Sequence, residues 1–198
     1  MHIATATLES TTPYSQSRPY EVPKKQKELA KDYETRTWQH RLHIKGGIQG
    51  DTVPTDGEIV IPAMAFKNAL SEAAKYLSMQ IPGKGKATYT KHFEAGLQCL
   101  NTPELGITVA DVRADDVFVP SDGRRGGGTR VWKTFPVIDK WSTAVQFLIL
   151  DDTITEDVFK THLQQAGQLI GIGRWRPRNN GMYGRFIVKE LAWEEYRP

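Results

Sequence analysis

Apolar and polar residues alternate from the start of the chain. In "HIATATLES", Ile3, Ala4, Ala6 and Leu8 are set against threonines, which predicts a half-buried strand. The same period returns in "TWQHRLHIK" at Trp38, His40, Leu42 and Ile44, and most clearly in "STAVQFLIL". "EIVIP" and "FEAGLQCL" read as shorter extended runs, and "GRFIVKELAWEE" as a final strand. "DDVFVPSDGRRGGGTRVWKTFPVI" reads as two strands around a glycine–arginine tip. Two segments change to a helical period. From Pro62 to Gln80, Phe66, Leu70, Ala73 and Leu77 recur at three- and four-residue steps, with proline in the first turn. From Thr153 to Ile170, Phe159, Leu163, Ala166 and Ile170 mark the buried face. Thr153 or Thr155 is the N-cap there, with Glu156 and Asp157 in the first turn.

Between the first strand and "TWQHRLHIK" lies a proline-punctuated polar insertion, residues 13–36, with a short helix expected around Lys27–Tyr33. So long a connection is unusual, and packing against a neighbouring copy would explain it. With this excursion set aside, the order reads βαββαβ. That predicts an α+β fold with a ferredoxin-like or RNA-recognition-motif-like core, in one domain over residues 1–198. Residues 117–137 form its candidate protruding hairpin.

Charge then narrows the function. A formal net charge of +3 excludes a nonspecific polycation, so the placement of basic residues matters more than their number. No acid occurs from Val158 to Lys189, while Lys160, Arg174, Arg176, Arg178, Arg185 and Lys189 all do. Cys99 is the single cysteine, which excludes an internal disulfide and a cysteine-based zinc site. No His/Asp/Glu cluster has metal-ligand spacing. No apolar run approaches the roughly 18–20 residues of a membrane span. The start of the chain lacks a basic stretch followed by a long apolar one, so a soluble, cytoplasmic protein is expected.

Three loops repeat one recipe of glycine, cation and aromatic. "GIGRWRPRNNGMYGR" offers Gly171, Gly173, Arg174, Trp175, Arg176, Arg178, Tyr183 and Arg185. "PGKGKATYTKH" carries Lys84, Lys86, Tyr89, Lys91 and His92. "SDGRRGGGTRVWK" carries Arg124, Arg125, Arg130, Trp132 and Lys133. Glycines admit close approach to main-chain N–H groups, guanidinium forks hold phosphates, and rings stack on bases. Each loop alone is ordinarily a solvated surface. Three together predict a groove that tracks a nucleic-acid backbone. In an extended segment, Arg174, Arg176 and Arg178 would share one side, outside the core. A dinucleotide or P-loop site is excluded by the order of elements and by the glycine spacing.

The stretches "GEIVIPAMAFKNALSEAAKYL" (57–77) and "LIGIGRWRPRNNGMYGRFIV" (169–188) resemble the RAMP superfamily (repeat-associated mysterious proteins). These are RNA-binding proteins of CRISPR systems, built on ferredoxin-like folds. The first stretch is similar to that family's extended lead-in to its first helix, the second to its C-terminal glycine-rich loop. The nearest subgroup is the backbone subunit that polymerises along guide RNA. The resemblance implies non-catalytic binding of single-stranded RNA through its backbone, tandem copies, other effector subunits as partners, a hairpin thumb that interrupts the strand, and no cofactor. Two departures, the short chain and "PAMAF" in place of a serine-rich turn, fit a compact, virus-borne relative. RNA versus single-stranded DNA stays open.

Some RAMP relatives cut RNA with a histidine, which gives a metal-independent endoribonuclease as the alternative. His92, beside Lys91 and Tyr89, is its candidate. His40 and His43 fall on opposite faces of the expected strand, and His162 lies among core residues. Asp151 and Asp152 have an ordinary capping role before a helix, and Asp122 belongs to a turn-forming Asp-Gly. A viral mimic that engages a CRISPR complex through a RAMP-like surface is the third reading.

Overall fold

The computed structural model describes residues 1–121 and 128–197. Strand β1 (His2–Ser10) buries Ala4, Ala6 and Leu8, while the intervening Thr5 and Thr7 face outward, as its alternation requires. A two-residue strand β2 (Tyr14–Ser15) and helix α1 (Ala30–Thr37) follow, then β3 (Glu58–Val60), α2 (Ala63–Leu77), α3 (Thr90–Ala95) and β4 (Leu97–Cys99). Strands β5 (Glu104–Thr108), β6 (Arg113–Pro120), β7 (Arg130–Ile138) and β8 (Ser142–Ile149) lead to α4 (Glu156–Gln165) and β9 (Phe186–Glu195).

The main sheet has the order β4-β8-β1-β9, antiparallel throughout. With α2 between β1 and β4, and α4 between β8 and β9, this is the βαββαβ ferredoxin-like arrangement. The α+β expectation holds. Both helices cover one face. Phe66 of α2 meets Trp141 and Phe186 edge-on, with ring centroids 6.5 and 6.0 Å apart, and Phe147 of β8 meets Phe159 of α4 at 5.2 Å. Phe159, Leu163, Ala166 and Ile170 are all fully buried. Thr155 is the N-cap, its hydroxyl accepting from the Val158 amide at 3.4 Å. The last turn, Ala166–Ile170, widens to a π-helix.

Two smaller sheets stand beside this core. Strand β2 joins β7 and β6 in one, and β3 pairs with β5 in the other. Strands β6 and β7 form the expected hairpin, paired from Arg113↔Val137 to Pro120↔Arg130. Its tip, with the candidate residues Arg124 and Arg125 and the Asp122 turn, lies outside the described residues.

Three expectations are corrected. "TWQHRLHIK" is not a strand: Trp38–Arg41 continue α1 as a 3-10 turn, and only Ile44 makes an isolated bridge, to Ile59. Its alternation arises because Leu42 and Ile44 drop into the core from irregular backbone. The first half of "FEAGLQCL" is helix α3. Phe93 there is anchored by stacking on His162, with centroids 4.2 Å apart. The helix expected around Lys27–Tyr33 forms later in the chain, over Ala30–Thr37.

The insertion at 13–36 is satisfied within its own chain. The buried Gln16 donates to the Val60 carbonyl (2.7 Å) and accepts from the His43 amide (2.6 Å). Glu34, buried on α1, holds both Arg41 (2.9 Å) and Lys133 of β7 (2.5 Å). Arg36 grips Glu28 at 2.7 Å. A neighbouring copy is not needed to order this segment.

His162 gives the fold a pH dependence. Its Nδ1 donates to the Val158 carbonyl at 2.7 Å, Nε2 is buried without a partner among the described residues, and burial lowers its pKa from the usual 6.5. Protonation therefore favours the unfolded chain, and stability falls as pH drops through the unfolded value of about 6.5. His43, also lowered by burial and by Arg18, adds to the effect. Thermal unfolding should show a lower Tm at pH 5 than at pH 7, with a smaller drop in His162→Phe. An identical drop in that variant would assign the dependence elsewhere.

Candidate nucleic-acid interface

The glycine loop leaves the π-turn at Gly171 and returns at Phe186. It is not an extended, solvated arm. Ile172 is buried, Trp175 and Asn180 take left-handed backbone angles, and Pro177–Asn179 form a 3-10 turn. Glycine is required where the loop crosses the chain that follows β1. Gly173 has φ +77°, and a Cβ there would overlap the Ser15 carbonyl and the Tyr14 ring; Gly184 has φ +80°, and a Cβ would overlap the Ile172 carbonyl. Backbone bonds stitch the crossing: Arg174 N to Ser15 O (2.7 Å), Gly184 N to Pro13 O (2.7 Å) and Ile172 N to Gly184 O (2.9 Å).

The four arginines therefore have different surroundings, and the expectation that three of them share one free side is corrected. Arg176 Nη2 pairs with Glu72 of α2 at 2.5 Å, and its Nη1 reaches the Gly171 carbonyl at 3.4 Å. Arg178 is exposed, 4.0 Å from Glu72 and 5.9 Å from the Tyr76 ring. Arg185 Nε donates to the Gln168 carbonyl at 3.0 Å. Arg174 differs from all of these. Its guanidinium lies 3.6 Å from the centre of the Phe135 ring of β7. Among the described residues, its buried Nη1 has no hydrogen-bond partner and its charge has no ion pair. Burial, followed by the nearby Arg41, lowers its pKa to about 10, so it remains charged at neutral pH. Trp175 is packed edge-on against Phe135 and Tyr183, and the Tyr183 hydroxyl donates to Asp115 at 3.1 Å. Neither ring presents the free face that composition alone suggests.

Arg174 opens into a trough. One half, about 230 Å³, is lined by Tyr14, Gln16, Ser17, His43, Pro62, Ala65, Gly173 and Arg174. The other, about 380 Å³, shares His43 and Pro62 and continues past Arg18, Ile44, Val60 and Met64. Among the described residues, no acid lines either half. The first turn of α2 forms one wall, with Pro62 at its N-cap and no side chain capping its amides, so the positive end of that helix adds to the field. Arg18 is held by a bond from Nη1 to the His40 carbonyl at 3.3 Å. Arg18 and His43 escape a sequence reading because one sits in the insertion and the other in the stretch whose alternation imitates a strand.

The remaining candidates stand elsewhere. Lys84, Lys86 and Lys91 are exposed, and no hydrogen bond or ion pair among the described residues ties them to the trough. Tyr89 is buried against His162, so the stacking expected of it is corrected. His92 Nδ1 bonds Asp151 at 2.5 Å, and that carboxylate also accepts from the Thr153 amide at 2.9 Å. The pair clamps α3 to the turn before α4. On the hairpin, Lys133 is bound to Glu34, while Trp132 and its cross-strand partner Phe118 are about half exposed with ring centroids 5.2 Å apart. Arg130 and Lys31 each lie 5.5 Å from one of these rings.

The outer face of the main sheet carries Ile3, Leu148 and Glu194, then Thr5, Gln146 and Ala192, then Thr7, Ala144 and Glu190. None of these is aromatic. The stacking platform by which RNA-recognition motifs hold bases has no counterpart in these rows.

No family model matches the chain, and no curated protein does. Among solved structures, a chain of the Type III-B Cmr-beta complex bound to cognate target RNA is similar, with a TM-score of 0.47 and 11% identity over 98% of this chain. A chain of a CRISPR RNA-guided surveillance complex is similar, with a TM-score of 0.38 and 9% identity over 96% of this chain. This chain spans 61% of the length of the first and 68% of the second. Both scores lie below 0.5, and the site is read from its own geometry. No helix among the described residues is long and apolar enough to cross a membrane.

The arginine surroundings make a stability test. Arg176→Ala removes a half-buried, charge-assisted contact and should cost about 1–3 kcal/mol, lowering Tm by several degrees. Arg178→Ala should leave Tm nearly unchanged, as an exposed pair at 4.0 Å contributes little. Equal shifts in thermal unfolding would contradict the pairing with Glu72.

Proposed function

We propose that the protein binds single-stranded nucleic acid through its phosphate backbone, in the trough between the glycine loop, the segment after β2 and the N-terminus of α2. One observation carries this reading. Arg174 is a charged guanidinium held on the Phe135 ring, with a buried N–H unpartnered among the described residues, beside uncapped helix amides and with no acid in the described lining. A buried charge is costly unless it is paired, and a phosphate supplies both the charge and the acceptors. Helix N-termini favour the same ligand. Arg18 is the second cation on the path.

The resemblance of residues 57–77 and 169–188 to RAMP backbone subunits supplies the finer reading. In it the strand is guide-like RNA, copies line up along it, and other effector subunits assemble beside them. The insertion at 13–36 lends that arrangement no support. Binding without cleavage is the reading for His92, because it does not line the trough and its Nδ1 is committed to Asp151.

Binding of a labelled single-stranded oligouridylate should weaken steeply with salt, since neutralised phosphates release counterions. Arg174→Ala and Arg18→Ala should each cost about 1–3 kcal/mol. Each should also flatten the salt slope by roughly 0.7 for every phosphate it no longer neutralises. His92→Ala should bind like the parent. Affinity that is flat across salt, or indifferent to Arg174, would remove the trough as the binding surface.

A further inference from the structure

The larger half of the trough is unlike a backbone channel. Ile44 and Val60, both nearly fully buried, make an apolar floor; Pro62, Ala63 and the exposed Met64 make a wall. Polar side chains stand only around it: Arg18, His43 and Thr102. Its volume of about 380 Å³ lies within the range of small-ligand sites. A phosphate would gain nothing from such a floor. A flat, largely apolar ring with hydrogen-bonding edges would gain from both floor and rim.

We infer that this pocket receives one unpaired nucleobase, turned out of the strand whose phosphate rests on Arg174. The inference depends on the backbone reading above, because the two halves share His43 and Pro62 and are one continuous trough. Arg18, steered by the His40 carbonyl, is placed to lie against the ring or to donate to its edge. His43, its pKa lowered by burial and then by Arg18, is neutral at pH 7, so it offers the base a hydrogen bond without a charge. A base paired within a duplex cannot enter. The pocket thus gives the site a selectivity for single strands that phosphate contacts alone cannot supply.

The test compares a single-stranded oligouridylate with an oligomer of equal length whose sugars lack bases, by fluorescence anisotropy at fixed salt. The unmodified protein should bind the abasic strand at least tenfold more weakly, with the salt slope of both strands the same. Ala63→Leu, which fills the pocket from the helix wall, should abolish the discrimination. Thr102→Trp does the same from a loop position if the helix variant is unstable. Equal binding of the two strands by the unmodified protein overturns the pocket and leaves the backbone reading standing. That is also the result expected if the pocket instead takes an apolar side chain of a protein partner. Failure of both strands to bind overturns both readings, and discrimination that persists in both filled variants places base recognition elsewhere.

Discussion

The molecule depends on a crossing. The chain leaving β1 passes beneath the glycine loop that precedes β9, and backbone bonds from Arg174 to Ser15 and from Gly184 to Pro13 fix the two against each other. Because β2 is part of the lower strand and pairs with β7, the same crossing sets where the hairpin sheet stands relative to the main sheet. Phe135 on β7 then lies under Arg174, and Gln16, next after β2, reaches Val60 and His43. Trough, hairpin and helix N-terminus are thus placed by one junction. Side chains larger than hydrogen are excluded at Gly173 and Gly184 because carbonyl oxygens occupy the space.

Where binding chemistry sits on this frame follows from what the sheet leaves over. A ferredoxin-like sheet covered by two helices on one face offers the other face to a ligand. Here that face carries threonines, alanine, glutamine and, toward β9, Glu190 and Glu194. Carboxylates along an edge strand discourage both strand pairing and polyanions. The cations gather instead at the end of the sheet where β1 finishes, on connections rather than on strands. Loops there are rigid because they are stitched to one another, so they can hold a guanidinium at a defined place without the ordering cost of a mobile arm.

The regular elements were legible in the sequence because each has a clean period. The β1 alternation, the faces of α2 and α4, and the run in β8 all appear where the hydrophobic pattern puts them. Irregular backbone was not legible. Leu42 and Ile44 mimic a strand because a core can be reached from any backbone that points two side chains inward, and α3 was hidden in a short apolar run. Strand β5 lacks a strong period of its own and is fixed by pairing with β3. For the site, the glycine loop was marked by composition, and Arg174 stood among its candidates. Arg18 and His43 were not, since nothing local distinguishes them; only the distant pairing of Gln16 with Val60 brings them to the trough.

Composition also overstated the grip. An acid-free stretch looks like a continuous positive surface, yet its charges are answered from elsewhere in the fold. Glu72, on a different helix, neutralises Arg176 and approaches Arg178; the Gln168 carbonyl engages Arg185; Glu34, on the insertion, answers Lys133 of the hairpin. What separates a structural guanidinium from a binding one is whether its donors are already used. Arg174 retains one because its flat face, rather than its edge, is spent on Phe135. A planar cation can be held by stacking while keeping hydrogen-bonding capacity, whereas a lysine has no face to spend. The same sequence motif therefore yields three arginines that serve the loop's own stability and one whose unused donor is available to an incoming phosphate.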